Sequence, residues 1–263
     1  IFLGPSTGLV SVDEADSTWT GESAFDEAGH AIAAAGDVDG DGLDDVLVGA
    51  PNQDGDAING GAAYLLTDSA GTSGSLAAAR GVLRGPNMGD RAGFALAGYG
   101  DVDGDGHADL AVSALGDDEG GTEAGAVYLV RGPVEGQLSL LDVYGKLTGE
   151  GRMDQAGTSL AGVGDINADG YPDLVVGAPL QDDRGTTTGA AYVIAVPQPG
   201  SHSLQNHTQF FGVDYGDHGG AAVAGIGDSN GDGRPDFVVA APIADGHHPE
   251  VGHSYLYLGL SED

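Results

Sequence analysis

The sequence predicts an all-β fold, a β-propeller of about four blades with four antiparallel strands in each. Three observations predict it. An Asp/Asn-Gly loop recurs four times, with first aspartates 64, 64 and 63 residues apart. Landmark Gly and Tyr residues keep fixed offsets from each loop, as true repeats require. The apolar runs that follow the loops are short and β-branched, and no window shows convincing 3.6 periodicity.

The elements follow in order through the first full unit. His30–Ala35 reads as a first strand rich in Ala and Gly, as do Ala95–Gly98, Ser159–Gly162 and Ala221–Gly225. Small side chains let backbones crowd together, as innermost strands must where a propeller converges on its axis. The loop comes next, then a continuously apolar second strand over Asp45–Gly49, covered on both faces. Ala62–Leu66 is the third strand, holding Tyr64. The matching Tyr128, Tyr192 and Tyr255 read as core rather than as sugar-stacking platforms. Gly81–Arg84 is the outer strand. An aspartate eleven residues before each loop (Asp26, Asp90, Asp154, Asp217) reads as a turn cap. The repeat units run roughly over 17–80, 81–144, 145–208 and 209–263, in one propeller domain or propeller fragment.

The run Ala28-Gly29-His-Ala-Ile-Ala-Ala-Ala-Gly-Asp37 through Asp45-Val-Leu-Val-Gly49-Ala50-Pro51, followed by Gly61-Ala-Ala-Tyr64, resembles the FG-GAP repeat of integrin α-subunit propellers and their bacterial relatives. The Phe of the Phe-Gly element is replaced by Ala28, Ala92, Ala156 or Gly219, and Gly-Ala-Pro becomes Ser113-Ala-Leu115 and Ala240-Ala-Pro242. Integrin-like propellers have seven blades, which four units do not fill. Ile1–Pro5 looks like the tail of a preceding third strand, and the segment near Ser17–Thr20 like an outer strand. A closed four-bladed ring, a larger ring completed by another chain and a piece of a longer propeller all remain open.

The loops carry the chemistry. The first offers Asp37, Asp39, Asp41, the Leu43 carbonyl and Asp45, and the second Asp101, Asp103, Asp105, the His107 carbonyl and Asp109. The third offers Asp165, Asn167, Asp169, the Tyr171 carbonyl and Asp173, and the fourth Asp228, Asn230, Asp232, the Arg234 carbonyl and Asp236. Alternate oxygens at loop positions 1, 3, 5, 7 and 9 with Gly at position 6 suit Ca2+, which takes six to eight oxygen ligands. An EF-hand would need Glu at position 12, where Val48, Val112, Val176 and Val239 stand. The alternative to about four calcium ions is a set of metal-free hairpin turns. Without a counter-ion, however, such carboxylates repel one another and some must take up protons.

Composition bounds the partners. The chain has 41 acidic and 8 basic residues, a formal charge of −33, which argues against nucleic acid and anionic membranes. Only 15 of the acids lie in the loops, so bound cations cannot explain the whole charge. There is no Cys, hence no disulfide and no thiolate chemistry, and no apolar run long enough to insert in a membrane. No nucleophile-elbow pattern is present.

The reading is therefore a non-catalytic, calcium-binding interaction module, with the adhesion idea and an extracellular or cell-surface location supplied by the resemblance. Its partner would be a protein or glycan. The variable loops Asn52–Gly60, Asp117–Ala124, Gln181–Thr188 and Ile243–Val251, between second and third strands, are where recognition is expected. Self-association to complete a ring is a further expectation. The alternatives are an accessory propeller of a secreted hydrolase or lyase, which the same resemblance allows, and a structural unit of a surface array or filament. His247-His248 beside Glu250 is the one local His cluster, and it reads as a solvated loop.

Overall fold

The computed structural model describes residues 1, 11–67, 69–182, 187–195, 199–212, 214–244 and 251–259. The His247-His248 cluster, most of Ile1–Pro5, and parts of the Gln181–Thr188 and Ile243–Val251 loops lie outside the described residues.

Strands dominate. After a short β1 (Trp19–Thr20), the first blade is built from β2 (Ile32–Gly36), β3 (Asp45–Ala50) and β4 (Ala62–Leu66), followed by β5 (Gly74–Ser75) and β6 (Gly81–Arg84). The second repeats the pattern with β7 (Ala92–Gly100), β8 (Asp109–Ala114), β9 (Ala126–Val130), β10 (Gly136–Ser139) and β11 (Gly145–Thr148). The third has β12 (Ser159–Gly164), β13 (Asp173–Ala178), β14 (Ala190–Ile194), β15 (Gly200–Ser203) and β16 (Thr208–Phe211). The fourth has β17 (Ala222–Gly227), β18 (Asp236–Ala241) and β19 (His253–Tyr257). The predicted first strand begins two residues late, at Ile32, because His30 N closes a turn onto Glu27 O and Gly29 N bonds to Gly49 O.

The sheets of the first two blades carry one strand more than the sequence reading gives them, the third has the expected four, and the fourth shows three among the described residues. The sheet orders β10-β6-β4-β3-β2 and β15-β11-β9-β8-β7 place β10 and β15 parallel to the outer strand of the preceding blade. Each of these added strands ends in a 3-10 turn. Ser75, Ser139 and Ser203 cap the turns by accepting the amides of Ala77, Leu141 and Gln205, a common use of a serine hydroxyl. Leu76, Leu140 and Leu204 are buried just behind them. The residue missing from the third period falls between Leu204 and Thr208, where the turn into the outer strand is one residue shorter than from Leu140 to Gly145.

Inner strands stand side by side in the order β2, β7, β12, β17. Their glycines explain the approach, since a Cβ on Gly98 would collide with Ala35 O, one on Gly162 with Gly98 O and one on Gly225 with Gly162 O. Between blades the cores interdigitate. Leu47, Leu65 and Leu83 meet Leu110, Val112 and Tyr128 in one cluster, and Ala111, Val127 and Leu129 meet Leu174, Val176 and Tyr192 in the next. Tyr64, Tyr128 and Tyr192 are fully buried, so these tyrosines serve packing. Among the described residues the row of blades does not close, and β2 and β17 remain its two open ends.

Candidate metal centre

Each loop lies between the inner and second strands of its blade, and a β-bulge just before it turns the chain (Ala34/Gly36, Gly98/Gly100, Gly162/Gly164, Gly225/Gly227). The loops fold on their own carboxylates. Asp37 Oδ1 accepts the amides of Gly40 and Asp41 at 2.8 and 3.0 Å while its Oδ2 accepts Gly42 N at 2.9 Å. Asp101 and Asp228 repeat all three bonds, and Asp165 repeats those to Asp169 and Gly170. Position 5 accepts the amide of position 7 in every loop, at 2.8 to 2.9 Å. Gly42, Gly106, Gly170 and Gly233 all have φ near +90°, the reversal that the Gly at position 6 was expected to supply.

Positions 1, 3 and 9 converge. Oxygens of Asp37, Asp39 and Asp45 lie within 4.8 Å of one another, and so do those of Asp101, Asp103 and Asp109. Asp41 and Asp105 stay outside these trios, bonded to the Leu43 and His107 amides. In the third and fourth loops Asn167 and Asn230 replace the position-3 aspartate and donate through Nδ2 to Asp169 and Asp232. Leu43 and Tyr171 expose their side chains, leaving the backbone as the part of position 7 that could serve a site. Of the 20 residues expected to bind calcium, the geometry thus gathers six into tight carboxylate trios.

The buried position-9 aspartates show what the site is short of. Asp45, Asp109, Asp173 and Asp236 are at most 2% exposed, and each accepts through Oδ2 the amide of the position-2 residue. Burial, with the neighbouring acids adding to it, pushes Asp45 and Asp109 up to about 6 and Asp173 up to about 7. Asp236 instead sits below the usual carboxylate range, because Ser229 occupies position 2 and donates its hydroxyl. Asp109 and Asp236 satisfy their second oxygen with Gly132 N and Gly259 N, both at 2.9 Å. Among the described residues Asp173 Oδ1 has no hydrogen-bond partner, and Val196, at the repeat position of Gly132 and Gly259, lies outside them. Buried carboxylates closing all-oxygen loops fit a hard divalent cation.

Two arginines mark the first and second loops, those with aspartate at position 3. Arg80 Nη1 reaches Asp39 Oδ2 at 3.4 Å while its Nη2 holds Glu135, and Arg131 Nε reaches Asp103 Oδ2 at 3.1 Å with its guanidinium stacked on Tyr144. Sequence reading missed both. The sequence carries no signal for them, because the units with Asn at position 3 also contain arginines and Arg80 and Arg131 stand at different offsets from their loops.

Of the expected recognition loops, 52–60 and 117–124 are fully described, and both spend much of their backbone on the following blade. Arg91 N bonds to Asn59 O and Gly89 N to Ile58 O, while Met153 N bonds to Thr122 O. The second of these loops also carries a polar cluster around the buried Asp117. Lys146 Nζ lies 2.7 Å from both Asp117 Oδ2 and Glu119 Oε2, and Tyr128 OH donates to Asp117 at 2.9 Å. Asp26, Asp90, Asp154 and Asp217 behave as the expected turn caps, accepting the amides of Ser23, Asn87, Gly151 and Asp214.

Comparison with known proteins agrees with this geometry. The FG-GAP repeat family matches residues 28–66, 92–130 and 156–194, so each match spans an inner strand, a loop and the next two strands. Integrin alpha-PS2 of Drosophila melanogaster is 35% identical over 172 residues, covering 62% of this chain and 12% of that protein. Integrin alpha pat-2 of Caenorhabditis briggsae is 32% identical over 240 residues, covering 82% and 18%. Phosphatidylinositol-glycan-specific phospholipase D of Homo sapiens is 37% identical over 161 residues, covering 58% and 19%. The chain therefore spans less than a fifth of the length of each of these relatives.

Proposed function

The chain is an FG-GAP repeat chain of integrin-α-like type, and from that premise we propose that it is a non-catalytic, calcium-stabilised propeller module that binds a protein or glycan outside the cell. Residues 1–263 act as one propeller domain or a piece of one. The observation that supports the calcium reading is the convergence of the Asp37, Asp39 and Asp45 oxygens, and of those of Asp101, Asp103 and Asp109, within 4.8 Å of one another on loops closed by a buried aspartate.

In this reading Asp37, Asp39, Asp41 and Asp45, with the Leu43 carbonyl, hold one ion, and the matching residues of the other three loops hold three more. A cation supplies the positive charge that the clustered carboxylates lack. It thereby fixes the turn between inner and second strands, which sets the spacing of the blades. The loop amides that already hold position 1 keep the donors in place before the ion arrives, so little ordering remains to oppose binding. Recognition falls to the exposed parts of the 52–60 and 117–124 loops, such as Ile58.

Similarity to a phospholipase D favours a second reading, in which the chain is the accessory propeller of a secreted hydrolase. It would be a scaffold there too. Native mass spectrometry after calcium loading tests the calcium reading: four ions are expected, and a spectrum with none bound would sink it.

A further inference from the structure

The first two loops are joined through one peptide group. Val38 N donates to Oδ2 of the buried Asp45 at 2.9 Å, and the carbonyl of the same peptide, Asp37 O, accepts Ala108 N at 2.8 Å. Ala108 immediately precedes Asp109, the buried residue that closes the second loop. A second bond runs alongside. His107 Nδ1 lies 3.0 Å from Val38 O and donates to it, since a carbonyl only accepts. His107 is also the residue whose backbone carbonyl stands at position 7 of the second loop. Positions 1 and 2 of the first loop therefore hold positions 7 and 8 of the second.

The next two junctions lack the backbone bond. Position 8 is Ala108 in the second loop but Pro172 in the third and Pro235 in the fourth, and proline has no N–H to give to the preceding loop. The packing at this position is nonetheless the same. A Cβ on Gly36 would meet Ala108 Cβ at 2.8 Å, one on Gly100 the Pro172 ring at 3.0 Å and one on Gly164 the Pro235 ring at 2.9 Å. Position 8 thus rests on the same glycine of the preceding loop at every junction, and only the donor differs. The two linked loops are also the pair whose positions 1, 3 and 9 converge as aspartates.

We propose that the first and second loops favour each other's cation through this shared peptide, a link that the third and fourth loops do not have. The inference rests on the calcium reading of these loops. A cation that draws Asp45 onto itself sets the tilt of the 37–38 peptide, and that tilt directs the carbonyl at Ala108 N, one residue before Asp109. Bonds in such a chain polarise one another, so a carboxylate held ionised at one end strengthens the bond at the other. Each loop then raises the affinity of its partner by the same factor, because coupling between sites is reciprocal. Repulsion between the two cations opposes this effect. That repulsion is the same in a variant lacking the bond, so the variant isolates what the bond contributes.

Asp169→Ala and Asp232→Ala together remove an exposed position-5 carboxylate from the third and fourth loops and leave the linked pair intact. In that background, native mass spectrometry during a calcium titration is expected to show chains with no, one and two ions. The product of the empty and doubly loaded fractions, divided by the square of the singly loaded fraction, measures the coupling. Ala108→Pro is expected to lower that quantity about fivefold while two ions still bind at saturation. The contact that accommodates Pro172 and Pro235 accommodates proline there too. His107→Ala removes the parallel bond without touching the backbone and is expected to lower the quantity as well, which keeps the test open should Ala108→Pro fail to fold. A quantity unmoved by both variants, with two ions still bound, overturns the coupling and leaves the calcium reading in place. A chain that binds no calcium overturns both.

Discussion

Arg131 Nε lies 3.1 Å from Asp103 Oδ2, a guanidinium placed on the carboxylate that loop position 3 would offer to a cation. The third and fourth loops replace that aspartate with Asn167 and Asn230. A fixed positive charge this close opposes an incoming divalent ion. Arg131→Gln is therefore expected to tighten calcium at the second loop, by on the order of fivefold at low salt and less at high salt. Isothermal titration reads it, and weaker binding would assign the arginine the opposite role of holding Asp103 in place.

Calcium removal should act through stability. Ions that bind only the folded chain raise its melting temperature by mass action, so excess chelator is expected to lower it. Asp173→Asn should shrink the calcium-induced rise and lose one ion in native mass spectrometry. A melting curve indifferent to chelator, in a sample shown to be free of metal, would count against calcium as part of the architecture.

The cluster around Lys146 permits a sharper test, because the next blade places uncharged side chains at the same positions, Gln181 buried with no partner among the described residues and Gln209 donating to Glu150. Lys146 and Asp117 correspond to Gln209 and Gln181, and Asp117 is almost wholly buried. Lys146→Gln alone leaves that carboxylate without its cation and is expected to cost about 3 kcal/mol. Adding Asp117→Gln removes the uncompensated charge and should restore part of the loss, giving a measurable coupling in a double-mutant cycle read by urea unfolding.

Burial, reinforced by nearby His202, holds His207 below the usual histidine range. The folded chain thus prefers the neutral ring more than the unfolded chain does. Stability from this residue is fully present above the unfolded value near 6.5 and declines as pH falls through it toward the lower folded value. His207→Phe is expected to flatten the slope of unfolding free energy below pH 6.5; an unchanged slope would show that the ring stays hydrated.

Much of this was legible from spacing. The loop aspartates, the core tyrosines and the capping aspartates sit where a period of about 64 puts them, because turns and buried positions tolerate few residue types. What spacing could not reveal was pairing across blades. β10 begins at Gly136 and carries Gln137 and Leu138 with neither face buried, so it has none of the alternation that marks a strand. Its partner β6 lies 55 residues earlier, across the loop and three strands of its own blade. Side-chain differences among the loops were equally hidden. Ser229 looks like an ordinary loop residue until its hydroxyl is found on Asp236, and Arg80 is distant in sequence from Asp39.

The strand lent by each blade to the one before it bears on how such a chain can be cut. A 64-residue segment cut just after an outer strand, say 85–148, would keep β10 and lose β6, the strand that β10 covers, while its own β11 would lose β15. Counted by period, the repeat looks like an interchangeable part, yet the folded unit straddles two of them. Transplanting or deleting a blade cleanly therefore requires staggered ends, with the outermost strand taken from the neighbour, much as a brick in running bond cannot be removed along a straight vertical line.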